Sequence, residues 1–484
     1  MFLGIDLGTS SLKALLVDDA ERIVGSASAP LTVANPRPGW SEQDPRDWWA
    51  ALLAAVDSLG RDHGAALAAV RGIGLCGQMH GAVLLDAADQ VLRPCILWND
   101  MRSARECLAL MEAEPALRDI TGNVAMPGFT APKLLWIKAH EPQVFAATRR
   151  VLLPKAWLRL VLTGEAIEDM SDASGTLWLD VGARRWSSRM LAATGLDDDV
   201  MPSLVEGNAA AGRLRADLAA RWKMRAAPIV AGGAGDNAAG AIGVGAVQAG
   251  SAFVSLGTSG VIWAGTDRFR PYTEKAVHAF CHALPGLWHQ MGVTLSAAAS
   301  LGWWAEVTSR TPSELLAEAS TAIPPATDPI FLPYLSGERT PYNDGSLRGR
   351  FVELSASTDR AAMTRAIMEG VAFSLRDCLD ALRASGTVIP EADVIGGGSR
   401  SESWTEVLAC ALGIPLHRVE DGESGAAFGA ARLARLAVTG EEPVALCRPP
   451  RRIATVQPDA STRARYEERL ARYRACRPRS SADD

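Results

Sequence analysis

The chain has 484 residues, which is enough for two or more hydrophobic cores. Its formal net charge of −6, with ordinary hydrophobic (48%) and charged (21%) content, argues against a nucleic-acid partner and a polybasic membrane patch. Eight dispersed cysteines argue against a metal cage and favour a reducing compartment. Asp6 interrupts the apolar start that a secretory signal needs, so we expect a soluble, cytoplasmic protein with a small-molecule partner.

The N-terminal residues predict a strand, a tight loop and a second strand. Residues 2–6 and 11–17 are short apolar runs, and Leu7-Gly-Thr-Ser10 lies between them. A loop of this composition can surround a phosphate, because glycine lets backbone N–H groups approach closely and the hydroxyls add donors. Lys13 adds a positive charge. An ordinary hairpin turn is the alternative interpretation.

The same tetrapeptide recurs at residues 256–259, about half a chain later, between the apolar runs 252–255 and 261–263. The shared flanks predict two similar domains, which we expect to cover residues 1–247 and 248–484. The two loops differ at one position. Asp6 precedes the first loop, whereas Ser255 precedes the second. A carboxylate next to phosphates repels them unless a divalent cation intervenes, so Asp6 is a candidate magnesium residue.

Helices are predicted between these strands. Asp44 can cap a helix that starts at Pro45, and Trp48, Leu52, Val56 and Leu59 then recur at helical spacing. A second helix is predicted from about Thr358 to Gly386, with a buried stripe: Met363, Ile367, Val371, Leu375, Leu379 and Leu382. Both halves are therefore expected to be α/β.

The C-terminal third predicts a strand at 392–395, a loop Gly396-Gly-Gly-Ser399 and a helix at 403–412. Ser403 and Glu406 have the spacing of a capping box. Beyond about Pro449 the chain is rich in arginine, and residues 480–484 are expected to fray.

Asp236 is the candidate catalytic residue. It follows the apolar residues 228–230 and a glycine-rich segment, so its carboxylate can approach a ligand closely and act as a general base. An Asx-type turn in Gly235-Asp-Asn237 is the alternative interpretation.

Two common nucleotide-binding motifs do not account for the glycines of this chain. Residues 72–77 fit Gly-x-Gly-x-x-Gly, but they lie within a predicted strand with no clear helix after it, which is the wrong context for dinucleotide binding. The chain contains no Gly-Lys dipeptide, and this excludes a Walker A loop.

Together, these motifs resemble the FGGY family of carbohydrate kinases. The resemblance runs from the N-terminus to about Leu436, and it departs in detail at residues 342–344 and 423–428. It is carried by the two loops, Gly235-Asp-Asn237 and Gly396–Ser399, and by the segments 40–44, 77–81, 96–100, 126–133 and 331–341.

The resemblance implies two actin-like (ribonuclease H-like) ATPase domains flanking a central cleft. It also implies ATP and Mg²⁺, with phosphorylation of D-xylulose at its C5 hydroxyl in the catabolism of D-xylose. Asp236 would be the base, and Met79, His80, Trp98 and Asn237 would contact the sugar. ATP would be held by Thr9, Ser10, Lys13, Thr258, Ala298, Gly302, Gly397, Gly398 and Ser399, and Asp6 would orient the metal. A homodimer is compatible with the family.

Three alternatives stay open at this point. Another FGGY kinase would act on ribulose, fuculose, gluconate or glycerol. An actin-like nucleotide-dependent scaffold would share the loops but would need neither Gln78–His80 nor the Asp236 base. A dinucleotide oxidoreductase would rest on residues 72–77 alone.

Overall fold

The computed structural model describes residues 1–319, 328–420 and 425–478. Two predictions fall outside the described residues. Residues 423 and 424 belong to the segment 423–428, where the chain departs from the family pattern, and residues 480–484 are the C-terminal end that was expected to fray.

The first half contains two kinds of strand, the long strands of a central sheet and short peripheral pairs. The strands are β1 Phe2–Leu7, β2 Ser11–Val17, β3 Ile23–Pro30, β4 Glu42–Gln43, β5 Gly72–Gly77, β6 Val83–Leu85, β7 Cys95–Ile96, β8 Arg150–Leu152, β9 Ile167–Asp169, β10 Leu179–Asp180, β11 Arg185–Trp186, β12 Ser203–Val205, β13 Ala210–Arg213, β14 Ile229–Ala231 and β15 Ala234–Gly235. The helices are α1 Pro45–Asp62, α2 Gly64–Ala68, α3 Ala104–Ala113, α4 Leu117–Thr121, α5 Thr130–His140, α6 Pro142–Ala147, α7 Pro154–Thr163, α8 Met170–Ala173, α9 Ser188–Thr194, α10 Ala216–Arg221 and α11 Asp236–Gly243.

The second half has longer helices and fewer peripheral strands. The strands are β16 Ala252–Leu256, β17 Gly260–Thr266, β18 His278–Cys281, β19 Trp288–Thr294, β20 Ile330–Leu332, β21 Arg350–Val352, β22 Ala392–Ile395, β23 Leu416–Val419 and β24 Arg452–Val456. The helices are α12 Ala298–Thr308, α13 Pro312–Glu318, α14 Arg360–Ala384, α15 Glu402–Leu412, α16 Gly425–Thr439, α17 Pro443–Leu446 and α18 Ala460–Ala475.

Each half is built on one main sheet, and the central strands of the two sheets are arranged in the same way. The first runs β13-β14-β5-β1-β2-β3, and the second runs β18-β19-β17-β16-β22-β23-β24. In both, an antiparallel hairpin (β1-β2 or β16-β17) is followed by a parallel neighbour (β5 or β22). The predicted duplication of strand, loop and strand is therefore present in the fold.

The parallel pairs place two loops side by side in each sheet. Leu7 at the end of β1 pairs with Gly77 at the end of β5, so the first Leu-Gly-Thr-Ser loop lies beside residues 77–80. Ser255 in β16 pairs with Ile395 in β22, so the second loop lies beside Gly396–Ser399. Loops that follow parallel strands collect at one sheet edge, which is where α/β proteins bind ligands.

The predicted helices α1 and α14 form at their expected places. The Asp44 carboxylate caps α1 by accepting the Arg46 N–H, and the predicted apolar stripe of this helix is buried. Helix α14 is capped by Asp359, and Gly386 follows its end in the left-handed conformation. Of its predicted stripe, Met363 is only partly buried.

The predicted cap of helix α15 was wrong. The helix begins at Glu402, one residue before the predicted start, and the Ser401 hydroxyl accepts the Trp404 N–H at 3.2 Å. Ser403 therefore lies in the first turn, where it contacts the Ser401 hydroxyl instead of capping the helix.

Helix α16, from the second half, packs on the sheet of the first half. It crosses β1 and β5 so closely that a Cβ on Gly4 would lie 1.9 Å from the Ala427 carbonyl oxygen. A Cβ on Gly74 would lie 1.8 Å from the Ala430 carbonyl oxygen. Only glycine permits this backbone approach. Gly72 and Gly74 of the Gly-x-Gly-x-x-Gly pattern thus permit the packing of α16, whereas Gly77 faces Leu7 of β1.

A hydrophobic cluster joins the two halves. Ala82, Phe129 and Trp178 of the first half belong to the same buried cluster as Phe253 and Trp263 of the second half. Burial of large aromatic surfaces across this junction stabilises the relative position of the two sheets.

The arginine-rich C-terminal helix α18 is anchored in the second half. Arg469 is buried and forms a bidentate ion pair with Glu369 of α14, at 2.6 Å for its shortest contact. In the described part of the chain, no helix combines the length and apolar character that crossing a membrane requires.

Candidate active site

A cavity of about 300 Å³ lies between the two halves. The first half contributes Met79, His80, Trp98, Asp236 and Asn237, which are the residues predicted to contact the sugar and to act as the base. The second half contributes Ser259, His278, Phe280 and Arg339. The structure thus brings five predicted site residues together, while their roles stay predictions.

Asp236 is the first residue of helix α11. Asn237 donates to its Oδ1 from both the backbone N–H, at 2.6 Å, and the side-chain amide, at 2.9 Å. Burial, together with the negative charge of Asp6, raises the pKa of Asp236 to about 7, and the two bonds from Asn237 only partly oppose this rise. A carboxylate with a pKa near neutrality can both take and release a proton.

A buried ionic network lies behind Asp236. The Gly235 N–H donates to the Ser171 hydroxyl at 3.1 Å, and this hydroxyl donates to the Asp169 carboxylate. Lys155 pairs with Asp169 at 2.7 Å and with Glu168 at 2.5 Å. The network fixes the backbone immediately before Asp236. Sequence reasoning missed it because its members are distant in the chain and match no motif.

Asp6 lies on β1 opposite Lys13 on β2. Burial raises the pKa of Asp6, although a bond from Cys76 and the charge of Lys13 oppose the rise. The negative charge of Asp6 also raises the pKa of Asp236. Within the described residues the Lys13 ammonium makes no ion pair.

The Met79-His80 segment forms one wall of the cavity. His80 has a left-handed backbone with φ of 71°, and its Nδ1–H donates to the Gly175 carbonyl at 2.6 Å. Burial lowers the pKa of His80 to about 3, so the ring is neutral and Nε2 is the acceptor. The His80 carbonyl accepts from Lys133 Nζ at 2.8 Å, which holds this wall in place.

Trp98 connects the cavity to the first loop. Its indole Nε1–H donates to the Thr9 hydroxyl at 3.0 Å, and the Thr9 hydroxyl donates to Gln78 at 3.3 Å. Gln43 donates to the Thr9 carbonyl at 2.7 Å. Thr9 is therefore held from three directions, while the neighbouring Ser10 side chain is exposed.

The second loop is held by the start of α12. The Ala298 N–H donates to the Gly257 carbonyl at 2.8 Å, and the Ala297 N–H donates to the Thr258 carbonyl at 2.9 Å. This leaves the Thr258 and Ser259 side chains exposed, and neither hydroxyl is hydrogen-bonded within the described chain. One turn along α12, Gly302 faces open space.

The Gly396–Ser399 loop lies beside Leu256. Gly396 has φ of 88°, and a Cβ there would lie 2.9 Å from the Leu256 carbonyl oxygen, so the sharp turn after β22 requires glycine. Gly397 is exposed with open space beside it. The Ser399 hydroxyl is used within the loop, since it donates to the Gly396 carbonyl at 2.7 Å.

These groups fit a nucleotide and a divalent cation. The exposed loop hydroxyls and Lys13 supply phosphate donors, and the mutual repulsion of Asp6 and Asp236 is the electrostatic situation that a divalent cation relieves. In the described ranges, the group of three carboxylates close enough to bind a metal is Glu168, Asp169 and Asp172. Its centre is taken by the Lys155 ammonium, so it serves the ionic network.

Ten of the fifteen residues that line the cavity received no role from the sequence, and five of the ten have large or charged side chains of interest. Met126 and Phe129 lie in the segment 126–133, and Arg339 lies in 331–341; both segments were recognised as motifs. His278 and Phe280 come from β18 and carry no local signal. Their place in the cavity depends on how β18 pairs with β19.

Comparison with known proteins follows this geometry closely. Residues 1–243 match the N-terminal domain model of the FGGY family of carbohydrate kinases, and residues 252–438 match its C-terminal domain model. The chain is 47% identical over 476 residues to a xylulose kinase of Escherichia coli K12, covering 98% of both chains. It is 50% identical over 442 residues to a xylulose kinase of Klebsiella pneumoniae, covering 91% of both.

A solved structure agrees with the sequence matches. The crystal structure of a xyloylose kinase from Brucella ovis superimposes with a TM-score of 0.96 at 55% identity, covering 98% of both chains. The predicted fold class is confirmed: two α/β domains of the actin-like ATPase type flank a cleft. The chain belongs to the FGGY family of carbohydrate kinases.

Proposed function

We propose that the protein transfers the γ-phosphoryl group of ATP to the C5 hydroxyl of D-xylulose, in the catabolism of D-xylose. The main support is the cavity that gathers Asp236, with its pKa near 7, and four predicted sugar contacts. The proposal also draws on relatives named xylulose kinase that match nearly the whole chain.

Asp236 is the proposed base. It takes the proton of the C5 hydroxyl as the oxygen attacks the γ-phosphorus, and the O–P bond to ADP breaks in line. Asn237 keeps the carboxylate in one orientation through its two hydrogen bonds. Met79, His80 and Trp98 form the wall against which the sugar is oriented. Holding the hydroxyl, the base and the phosphoryl group together supplies much of the rate enhancement.

ATP would lie along the loop edge shared by both sheets. Thr9, Ser10, Lys13 and Thr258 would hold the phosphates, and Ala298, Gly302, Gly397, Gly398 and Ser399 would surround the adenosine end. Because the Ala298 N–H is already bonded to Gly257, that residue would contribute surface and no hydrogen bond. Bound Mg²⁺, oriented by Asp6, would neutralise phosphate charge.

The two sheets would belong to two domains, residues 1–247 and 248–484. Helix α16 would tie them together, since it comes from the second half and packs on β1 and β5. Closure of such a cleft around sugar and ATP excludes water and limits ATP hydrolysis.

A panel of sugars tests the substrate. ADP release is measured with D-xylulose, D-ribulose, L-fuculose, gluconate and glycerol, each with and without ATP and Mg²⁺. We expect kcat/KM for D-xylulose to be the highest, and the phosphorylated carbon is then identified by ³¹P–¹H correlation. A higher kcat/KM for another sugar would overturn the D-xylulose assignment. ATP turnover that no sugar stimulates would favour the nucleotide-dependent scaffold.

A further inference from the structure

Arg339 is a charged residue in a cavity proposed to bind a neutral sugar. It lies in the segment between β20 and β21, and it reaches the cavity from the second half, whereas Asp236 reaches it from the first. Neither the predicted sugar contacts nor the predicted ATP contacts include it.

The backbone around Arg339 is fixed by its neighbours. The Glu338 carboxylate accepts from the Thr294 hydroxyl at 2.6 Å, from the Ser374 hydroxyl at 2.8 Å and from the Arg339 N–H at 2.8 Å. The Thr340 hydroxyl donates to the Ala276 carbonyl at 2.9 Å. Arg339 is therefore carried by a rigid segment.

The Arg339 guanidinium has no matching partner. Among the described residues it makes no hydrogen bond and no ion pair, because the Glu338 carboxylate is turned toward Thr294 and Ser374. Burial lowers the pKa of Arg339, and the nearby charge of Glu338 only partly compensates. Arg339 is half-buried and lines the cavity. A partly desolvated guanidinium in a rigid segment, without an acceptor from the described residues, suits a ligand that supplies acceptors.

The position of Arg339 in the cavity indicates which end of the sugar it would contact. The Thr340 hydroxyl bonds to the Ala276 carbonyl, two residues before His278, and this places Arg339 on the side of the cavity where the His278 and His80 rings lie. Its charge lowers the pKa values of both rings. Asp236 enters the cavity from the first half, at the start of α11, and among the described residues it has no hydrogen bond or ion pair with Arg339. Arg339 therefore lies on the His80 and His278 side of the cavity, and the Asp236 carboxylate, which is the proposed base for the C5 hydroxyl, lies on another side.

We propose that Arg339 binds the hydroxyketone end of the sugar, donating its two parallel N–H groups to the C2 carbonyl and C1 hydroxyl oxygens. This inference rests on the proposed function, because the sugar is oriented by placing its C5 hydroxyl at Asp236. A guanidinium fork suits two adjacent oxygen acceptors held in one plane. The first half would then supply the base and the second half would read the far end of the ketose.

The test compares D-xylulose with 1-deoxy-D-xylulose, which lacks the C1 hydroxyl, in the wild-type enzyme and in Arg339→Met. In the variant we expect kcat/KM for D-xylulose to fall about 10- to 100-fold, mainly through KM, while KM for ATP stays unchanged. The preference of the wild-type enzyme for D-xylulose over the deoxy analogue should largely disappear. Arg339→Lys keeps the charge without the fork and should be intermediate.

Two further readouts separate ligand binding from a structural role. Without ligand, Arg339→Met should melt at about the wild-type temperature or above it, since the half-buried guanidinium that is removed has no acceptor among the described residues. The control Arg93→Met removes a cation paired with Glu42 and Glu141, so it should melt lower with an unchanged sugar KM. Methylguanidine added to Arg339→Ala should restore part of the D-xylulose activity.

Three results would overturn the inference while leaving the proposed function intact: wild-type KM for D-xylulose in Arg339→Met, an unchanged preference over the deoxy analogue, or a lowered melting temperature without guanidine rescue. A fall in kcat alone, equal for both sugars, would place Arg339 at the phosphoryl group and would also overturn it. If the wild-type enzyme does not phosphorylate D-xylulose, the proposed function itself is wrong, and the sugar panel shows this before any variant is made.

Discussion

The two sheets of this protein share one backbone plan and carry different chemistry. In each, a hairpin with the loop Leu-Gly-Thr-Ser lies beside a parallel strand, and a second loop follows that strand. In the first sheet, charged or titratable side chains surround the loops: Asp6, Lys13 and His80. In the second, Ser255 replaces the carboxylate, and the neighbouring loop is Gly396–Ser399.

This difference shows how a duplicated fold can divide a reaction. Glycine and hydroxyl groups suffice to surround a nucleotide, but proton transfer and metal binding need carboxylates with altered pKa values. Burial raises the pKa of both Asp6 and Asp236, and the negative charge of Asp6 raises the pKa of Asp236 further. If the chemistry belongs to the first half, substitutions there should lower activity more than matched substitutions in the second half.

The largest effect is expected for Asp236→Asn. Removal of a general base lowers kcat by about 10²- to 10⁴-fold, while the Kd for ATP measured by calorimetry should not change. Asp393→Asn is the matched control in the second sheet. Burial also raises the pKa of Asp393, but this residue pairs with Arg452 at 3.2 Å outside the cavity, so kcat should stay at the wild-type value. Near-normal turnover of Asp236→Asn would remove Asp236 from the base role.

The same residue predicts the pH dependence. Because the pKa of Asp236 is raised to about 7, the base is protonated and inactive below neutrality. We expect kcat/KM for the sugar to rise with pH and to level off above about pH 7, with roughly a tenfold loss per pH unit on the acid side. A profile that is flat between pH 5 and pH 8 at constant protein stability would contradict this assignment.

An exchange of residues between the two hairpins should have a smaller, asymmetric effect. Asp6→Ser places serine before the first loop, as Ser255 precedes the second. The Mg²⁺ concentration for half-maximal activity should then rise about 10- to 100-fold, which is the effect expected when a metal loses an outer-sphere contact. Ser255→Asp places a carboxylate near the nucleotide and should raise the ATP KM without improving the response to Mg²⁺. Equal effects of the two changes would mean that the hairpins are interchangeable.

The smallest effect is expected at the loop hydroxyls. Thr258→Val removes one exposed hydroxyl and should raise the ATP KM about 2- to 10-fold. Thr9→Val should do more, because the Thr9 hydroxyl also bonds to Trp98 and Gln78, and its loss should raise the sugar KM as well. If Thr9→Val changed the ATP KM alone, the hydrogen bonds of Thr9 with Trp98 and Gln78 would not contribute to sugar binding.

Much of the local structure was predictable because it depends on neighbours in the chain. The hairpins, the Asp44 cap, the long helix α14 and strand β22 follow from short-range patterns of apolar, capping and glycine residues. The cap of α15 was misplaced by two residues, since Ser401 and Ser403 are both good caps and the first turn decides between them.

The sequence by itself also determined the family, because several of its motifs are specific combinations of residues. Only the tertiary structure decided which residues share the cavity. Arg339 and His278 are more than 40 residues from any predicted sugar contact in the chain, and they reach the cavity because the two sheets face each other. The Lys155 network is hidden for the same reason. Contacts across a fold depend on packing geometry, which no local pattern records, whereas caps and turns are set by the few residues that form them.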